Sequence, residues 1–340
     1  MDEALYGPGG FYTGTPIGSE GDFVTSPHVH PVFSRLVGIA LEELWGALGR
    51  PLPFRLVEVG AGDGTLASEL VAGFARGGID VEYTAVELGA EARGRLAAIT
   101  PHVATRLTEV ERLDLGVLIA NELLDSLPFR RVRRRGDALE EIRVGLDGDR
   151  LLEVEVPGDV ELTAIAPDLA DGAEAVIPTG AFAFVDQLAG TLGRGYALLI
   201  DYGSNGPQAG QVHGYRGHRV VEDVLADPGS TDVTAGVDLR SLADRATAAG
   251  LVSLGTVSQE AALRTLGFDE WMRDELTHQG DLLKAGLGSA ATRTWDGRNR
   301  ARMLVQPSGL GRLRWLVFAT PGLPEPAWLD RARVGVPSGR

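Results

Sequence analysis

Residues 54–70 read F-R-L-V-E-V-G-A-G-D-G-T-L-A-S-E-L, and the fold follows from how this stretch changes character. Phe54, Leu56, Val57 and Val59 form an apolar run, Gly60, Gly62 and Gly64 interrupt it, and Leu66, Leu70 and Phe74 then recur every four residues. That is a buried strand, a tight glycine turn and an amphipathic helix, the opening unit of a nucleotide-binding α/β fold. Glycines at alternate positions let a ligand approach where a Cβ would collide, and the helix that follows offers its amino-terminal N–H groups.

The spacing narrows the ligand. A dinucleotide fingerprint G-x-G-x-x-G needs Gly or Ala at position 65, where this chain has Thr65, and no G-K-[ST] marks a P-loop. An NAD-linked oxidoreductase is disfavoured on that ground. The remaining pattern, E-x-G-x-G-x-G, is followed by Glu87 at the end of Y-T-A-V-E, close to the offset of roughly 20 residues usual for a ribose-binding acid. It resembles motif I of the S-adenosylmethionine (SAM)-dependent methyltransferases; the bland alternative is a glycine turn that binds nothing. The resemblance implies that Gly60, Gly62 and Gly64 shape the pocket for the methionine part of SAM. Glu58 then braces the turn or the amino group, and Glu87, with Leu88 beside it, holds the ribose.

Composition bounds the alternatives. The 340 residues carry 44% hydrophobic and 23% charged side chains, as an ordinary globular protein does. A formal net charge of −15 argues against a general nucleic-acid binder. With no cysteine, disulfides and cysteine zinc sites are excluded. The start M-D-E-A-L-Y-G-P-G-G has no basic or apolar leader region, and no uncharged apolar run approaches membrane-spanning length. The expectation is a cytoplasmic protein without a membrane partner.

Outward from the opening unit, residues 1–30 are rich in Gly, Pro, Ser and Thr and read as a long loop that its aromatics pack down. Pro31 opens an apolar helix closed by Gly49. Further strands are expected at Val81–Glu87, Val103–Leu107, Leu115–Ala120, Tyr196–Tyr202, Leu251–Val257 and Leu313–Ala319, with helices at Ala90–Ile99, Ala181–Leu192, Leu239–Ala249 and across much of 259–287. Leu139–Val156 reads as a hairpin around Asp147-Gly148, 157–180 as irregular connection, and 203–234 as a segment without period. The fold class is α/β, a doubly wound Rossmann-like seven-stranded sheet of the class I methyltransferase kind. It has an N-terminal lid segment and inserted hairpin and helical elements. The expected organisation, with the lid and the SAM site as the resemblance implies them, is a lid loop and helix at 1–53, a SAM-binding domain at 54–320 with insertions at about 136–180 and 259–310, and a partly disordered tail at 321–340.

Taken together, A-L-Y-G-P-G-G-F-Y-T (4–13), G-D-F-V-T-S-P (21–27), the glycine block, A-N-E-L-L-D-S-L-P (120–128), L-I-D-Y-G (199–203), Y-R-G-H-R (215–219) and D-V-T-A-G-V-D (232–238) resemble the MidA-like methyltransferase family. The family includes the mitochondrial complex I assembly factor that methylates an arginine of a partner subunit. The resemblance implies SAM as cofactor, S-adenosylhomocysteine as product and a protein arginine as favoured acceptor. It also implies that the segment carrying Asp22, Thr25 and Ser26 covers the cofactor. Two positions depart from the family: His28 stands where Glu is usual, and Gly236 where His is usual. Those departures favour a rival, a small-molecule O- or N-methyltransferase. Another rival is a SAM-binding assembly or docking protein without catalysis; a homodimer is compatible with all three.

The chemistry points to the same strand ends. A guanidinium acceptor needs carboxylates to orient it and a base to take its proton. Asn121, Glu122 and Asp125 lie just past the fourth strand, with helix capping as their bland reading, and Asn121 is counted toward cofactor and acceptor alike. Asp201 ends the fifth strand and is either a site residue or a turn-starting Asp. Asp238 reads as an N-cap. His28-Val29-His30 lacks a third ligand at a recognisable spacing, so no metal is expected. Arg130, Arg131, Arg133, Arg134 and Arg135 read as the solvated edge of the hairpin insertion, with an acidic partner as the alternative.

Overall fold

The computed structural model describes residues 1–7, 9–14, 25–206, 212–216 and 219–334. Its centre is a seven-stranded sheet of β1 (Phe54–Val59), β2 (Val81–Val86), β3 (His102–Ala104), β4 (Gly116–Asn121), β5 (Gly195–Asp201), β6 (Val252–Ser258) and β7 (Arg314–Ala319). The spatial order is β6-β7-β5-β4-β1-β2-β3. β1 pairs in parallel with β2 and β4, β4 with β5, and β2 with β3, while β7 runs antiparallel to both β5 and β6. The chain moves outward through β2 and β3 and returns to the other side of β1 at β4. The β1/β4 boundary is therefore the switch point beyond whose carboxyl ends ligands lie.

The strands read as unbroken apolar runs because both faces are covered. Leu56, Tyr83, Ile119, Leu198 and Val317 pack under α1 (Val32–Ala47) and α2 (Thr65–Arg76). Their neighbours Val57, Val86, Leu118, Leu199 and Phe318 face α3 (Thr179–Thr191) and α4 (Leu239–Ala248). Asp238 caps α4, accepting from the N–H groups of Arg240 and Ser241. Among the described residues no helix is long and apolar enough to cross a membrane.

Four expectations are corrected. Residues 1–30 are not all loop, since Asp2–Tyr6, Phe11–Gly14 and Ser26–Val29 are short helices. The third strand stops at Ala104 and passes into a tight turn at Leu107–Glu109. The 203–234 segment carries strands Val212–Arg216 and Arg219–Val221 and leads into Asp232–Ala235, which together make a small sheet. The arginine run is an interior strand, Arg130–Arg135, of a four-stranded insertion that begins there rather than at 136. It pairs with Ala138–Asp147 on one side and with Glu174–Ile177, inside the stretch expected to be irregular, on the other. Its charges are matched across the sheet: Arg131 and Arg133 meet Glu174, Glu153 and Glu155, and Arg130 grips Glu141 at 2.7 and 2.8 Å. Val132 points the other way and is fully buried against Leu162 and Ala175. Like charges discourage pairing only where no opposite charge is supplied by the neighbouring strand.

The tail is also more ordered than its prolines suggest. Helix Ala327–Val334 docks on the main core, with Trp328 fully buried edge-on to Trp315 at 5.7 Å; residues 335–340 lie outside the described residues. Trp328→Ala should lower the unfolding free energy by about 3–5 kcal/mol, read as a drop in urea midpoint at unchanged m-value. A loss below about 1 kcal/mol would mean that this helix is not part of the core.

Candidate active site

The turn after β1 is held by β2: the N–H groups of Gly60 and Ala61 both donate to the Val86 carbonyl, at 2.9 and 3.2 Å. Gly60 has φ 74°, and a Cβ there would lie 3.1 Å from Leu123 on the turn after β4. The third glycine has a different task. Gly64 (φ 86°) starts α2, does not line the cavity described below, and a Cβ on it would fall 2.7 Å from Ile99. Between them, the Gly62 N–H donates to Glu87 Oε2 at 2.9 Å, while Glu87 Oε1 accepts from the Gly89 N–H at 2.8 Å. Leu88 is half exposed beside it. Glu58 is buried and accepts from the Tyr83 hydroxyl at 2.5 Å; burial pushes its carboxyl up to about 8, against that hydrogen bond.

His28, one of the departures noted above, belongs to this turn. Its Nε2 lies 2.9 Å from Asp63 Oδ2 and 3.2 Å from Thr65 Oγ1, and its Nδ1 lies 2.8 Å from Thr25 Oγ1. With a proton on Nε2, the ring donates to Asp63 and accepts from Thr25. Among the other histidines, His213 is exposed and His30 packs on Trp271 at 4.9 Å, away from the cavity. His218 lies outside the described residues.

At the end of β4 the backbone turns sharply. Glu122 has φ 52°, and its N–H donates to the Ile200 carbonyl of β5 at 2.7 Å. Its Oε1 accepts from the Ser26 N–H at 2.8 Å and from Asn121 Nδ2 at 3.2 Å. Desolvation raises the Glu122 carboxyl, opposed by those hydrogen bonds and by the nearby His28 ring. Asn121 Oδ1 is buried and has no hydrogen-bond donor. Asp125 follows in the turn Leu124–Ser126; burial, then the charges of Asp201, Asp232 and Glu122, push its carboxyl well above the ordinary range.

Asp201 sits behind this turn and does not line the cavity. It is fully buried and accepts from the N–H groups of Leu124 at 2.5 Å and Tyr202 at 2.7 Å. Burial still outweighs both bonds and raises its carboxyl to about 7.

Glu58, Gly60, Gly62, Glu87, Leu88, Asn121, Glu122, Asp125 and Thr25 thus share one cavity of about 820 Å³. Ser26 does not line it but bonds Glu122, which does, and Asp22 lies outside the described residues. Several lining residues carry no binding or catalytic signal in the sequence, where Tyr6 and Tyr12 read only as aromatics that pack the segment down. Tyr6 and Tyr12 stack at 5.5 Å; the Tyr6 hydroxyl donates to the Ser126 carbonyl at 2.9 Å and that of Tyr12 to Asp232 Oδ1 at 2.8 Å. Thr105–Thr108 line the side nearest Glu87, and Phe184 and Gln187 of α3 close another wall. Asp232 opens the D-V-T-A-G-V-D block, whose alternation V-T-A is its local signal for a strand.

Comparison with known proteins gives this cavity a context. A family model of S-adenosyl-L-methionine-dependent methyltransferases matches residues 36–257. Protein arginine methyltransferase NDUFAF7, mitochondrial, of Danio rerio is 26% identical, over 92% of this chain and 80% of that protein. The Mus musculus protein of the same name is 28% identical, over 94% and 79%. A Burkholderia thailandensis protein crystallised with S-adenosyl-homocysteine superimposes with a TM-score of 0.78 at 26% identity, over 95% of this chain and 87% of its own. The expectation of a cytoplasmic protein does not survive this comparison, because the curated relatives are named as mitochondrial. With the model spanning most of β1 to β6 and a solved relative of the same topology, the chain belongs to the S-adenosyl-L-methionine-dependent methyltransferase family.

Proposed function

We propose that this enzyme methylates an arginine side chain of a protein. The observation that carries this reading is the charge of the cavity wall. Glu3, Glu58, Asp63, Glu87, Glu122, Asp125 and Asp232 line it, against Arg106 and His28 as the basic residues among the described lining. Burial disfavours the anionic form of several of these carboxyls, so a docked cation is what stabilises them, whereas a phosphate backbone finds little there to pair with. The named activity of the relatives agrees with it.

The residues present fit the cofactor: the cavity is large enough, the glycine turn borders it, and Asn121 Oδ1 is buried and lacks a donor. Gly60 and Gly62 would accept the methionine part, Glu87 with Leu88 the ribose, and Asn121 the region between cofactor and acceptor. Thr25, Ser26 and Asp22 would close the segment over them. When bound, SAM supplies an electrophilic methyl group on a sulfonium. This chain's residues supply the rest. Glu122 orients the guanidinium and takes the proton that the nitrogen loses as it gains carbon. Asp125 adds a second carboxyl that ionises as the guanidinium docks, and Asp201 acts as a positioning residue, holding the Leu123–Leu124 backbone so that Glu122 stays aimed.

SAM or S-adenosylhomocysteine should raise the melting temperature while NAD does not, and labelled methyl from SAM should enter protein rather than small molecules in a lysate, at arginine. Label confined to small molecules would overturn the acceptor. Gly62→Val, at φ 56°, should weaken S-adenosylhomocysteine binding roughly 10–100-fold, matching about 1–3 kcal/mol of overpacking. Glu122→Gln should lower kcat by about 10²–10⁴ with cofactor affinity retained; normal turnover with lost affinity would contradict the role given to it. Since desolvation raises the Glu122 carboxyl, its charged form is lost as pH falls earlier than for an ordinary glutamate. The acid limb of kcat/KM should therefore sit above the ordinary carboxylate range, and the Gln variant should not show it.

A further inference from the structure

We infer that Asp125 and Asp232, roofed by the stacked rings of Tyr6 and Tyr12, form the end of the cavity that recognises the acceptor's guanidinium, and that Tyr12 is the residue that positions Asp232. The inference rests on the arginine reading above and adds residues to it that neither the glycine turn nor Glu122 supplies. Asp125 comes from the turn after β4 and Asp232 from the first position of the strand Asp232–Ala235, with Asp232 only 2% exposed. Both face the same cavity as Tyr6 and Tyr12. The Tyr12 hydroxyl donates to Asp232 Oδ1 at 2.8 Å, and the Tyr6 hydroxyl is anchored on the Ser126 carbonyl at 2.9 Å, so the stacked pair is fixed at two points. Two carboxylates beside an aromatic wall suit a planar cation with five N–H donors better than a compact ammonium. Asn121 Oδ1, buried without a donor in the same cavity, is a further acceptor that such a cation can use.

The charges around the pair predict how the cation enters. Asp125 faces Asp201 at the end of β5, Asp232, Glu122 and the Ser126 N–H. Tyr6 and Tyr12 feel both aspartates, and Tyr202 feels Glu122, Asp125 and Asp201, with Arg312 over its ring at 5.1 Å. Burial among these acids keeps Asp125 protonated well above the ordinary range, so a guanidinium that docks there displaces that proton to solvent.

The test is calorimetric titration of ethylguanidinium into the protein saturated with S-adenosylhomocysteine, in two buffers of different ionisation heat. The wild type should bind it with buffer-dependent heat that reports proton release, and should bind n-butylammonium about tenfold more weakly. Asp232→Asn and Asp125→Asn should each weaken ethylguanidinium by about tenfold or more. Tyr12→Phe should weaken it severalfold, and all three should keep S-adenosylhomocysteine affinity, which also shows that they fold. No binding to the wild type, equal binding to both Asn variants, or no proton release overturns the inference. Unchanged binding to Tyr12→Phe removes the role of Tyr12. Methylation of arginine peptides is read separately. Unmethylated peptides with Asp232-dependent ethylguanidinium binding sink the arginine reading alone; methylated peptides with Asp232-independent binding sink this inference alone.

Discussion

One backbone turn organises the site: the residue after β4 lies in the left-handed region. For a residue with a Cβ that conformation costs about 1–2 kcal/mol, and Glu122 keeps φ 52° because its N–H is fixed on the Ile200 carbonyl and the following N–H groups are fixed on Asp201. The consequence reaches across the switch point. Leu123 is brought so close to β1 that a Cβ at position 60, already disfavoured at φ 74°, would lie 3.1 Å from its side chain. The glycine turn and the acidic turn, read in the sequence as separate motifs, are two sides of one packing constraint.

Charge behaves differently at the centre and at the periphery of this molecule. In the insertion, Arg135 and Glu155 meet at the surface, where solvent screening leaves such a pair worth little. At the strand ends, Asp201 has two backbone N–H partners, and burial still wins, raising its carboxyl to about 7. Two good hydrogen bonds therefore do not offset the loss of water at that depth. A cluster of carboxylates held under those conditions is poorly stabilised as anions until a cation arrives.

The sheet was legible because its signals are local. Each central strand is a short apolar run, and the glycine spacing with Glu87 needs no knowledge of the distant chain. What escaped depends on partners far away in sequence. Arg130–Arg135 is an interior strand only because Glu141, Glu153, Glu155 and Glu174 arrive opposite it. His28 reads as an odd substitution until Asp63 and Thr65 are seen beside its ring. Asp232 meets Tyr12 across 220 residues, a separation at which a four-residue alternation says nothing about where the strand lies.

That separation explains why cofactor and acceptor were unequally readable. The side of the cavity proposed for the cofactor is built from the ends of β1, β2 and β4, which the sheet itself brings together. The other side comes from Tyr6, Phe11 and Tyr12, ahead of α1, and from the strand at 232–235; these meet in a small satellite core of Leu5, Phe11 and Val233. Closing so long a loop adds little entropy cost, since the penalty grows only with the logarithm of length. Burying these apolar side chains, with the hydroxyl bonds of Tyr6 and Tyr12, is what holds the two segments on the sheet. The glycine turn therefore belongs to the fold, whereas the shape and charge proposed to meet the acceptor belong to segments that another member of the same fold is free to replace.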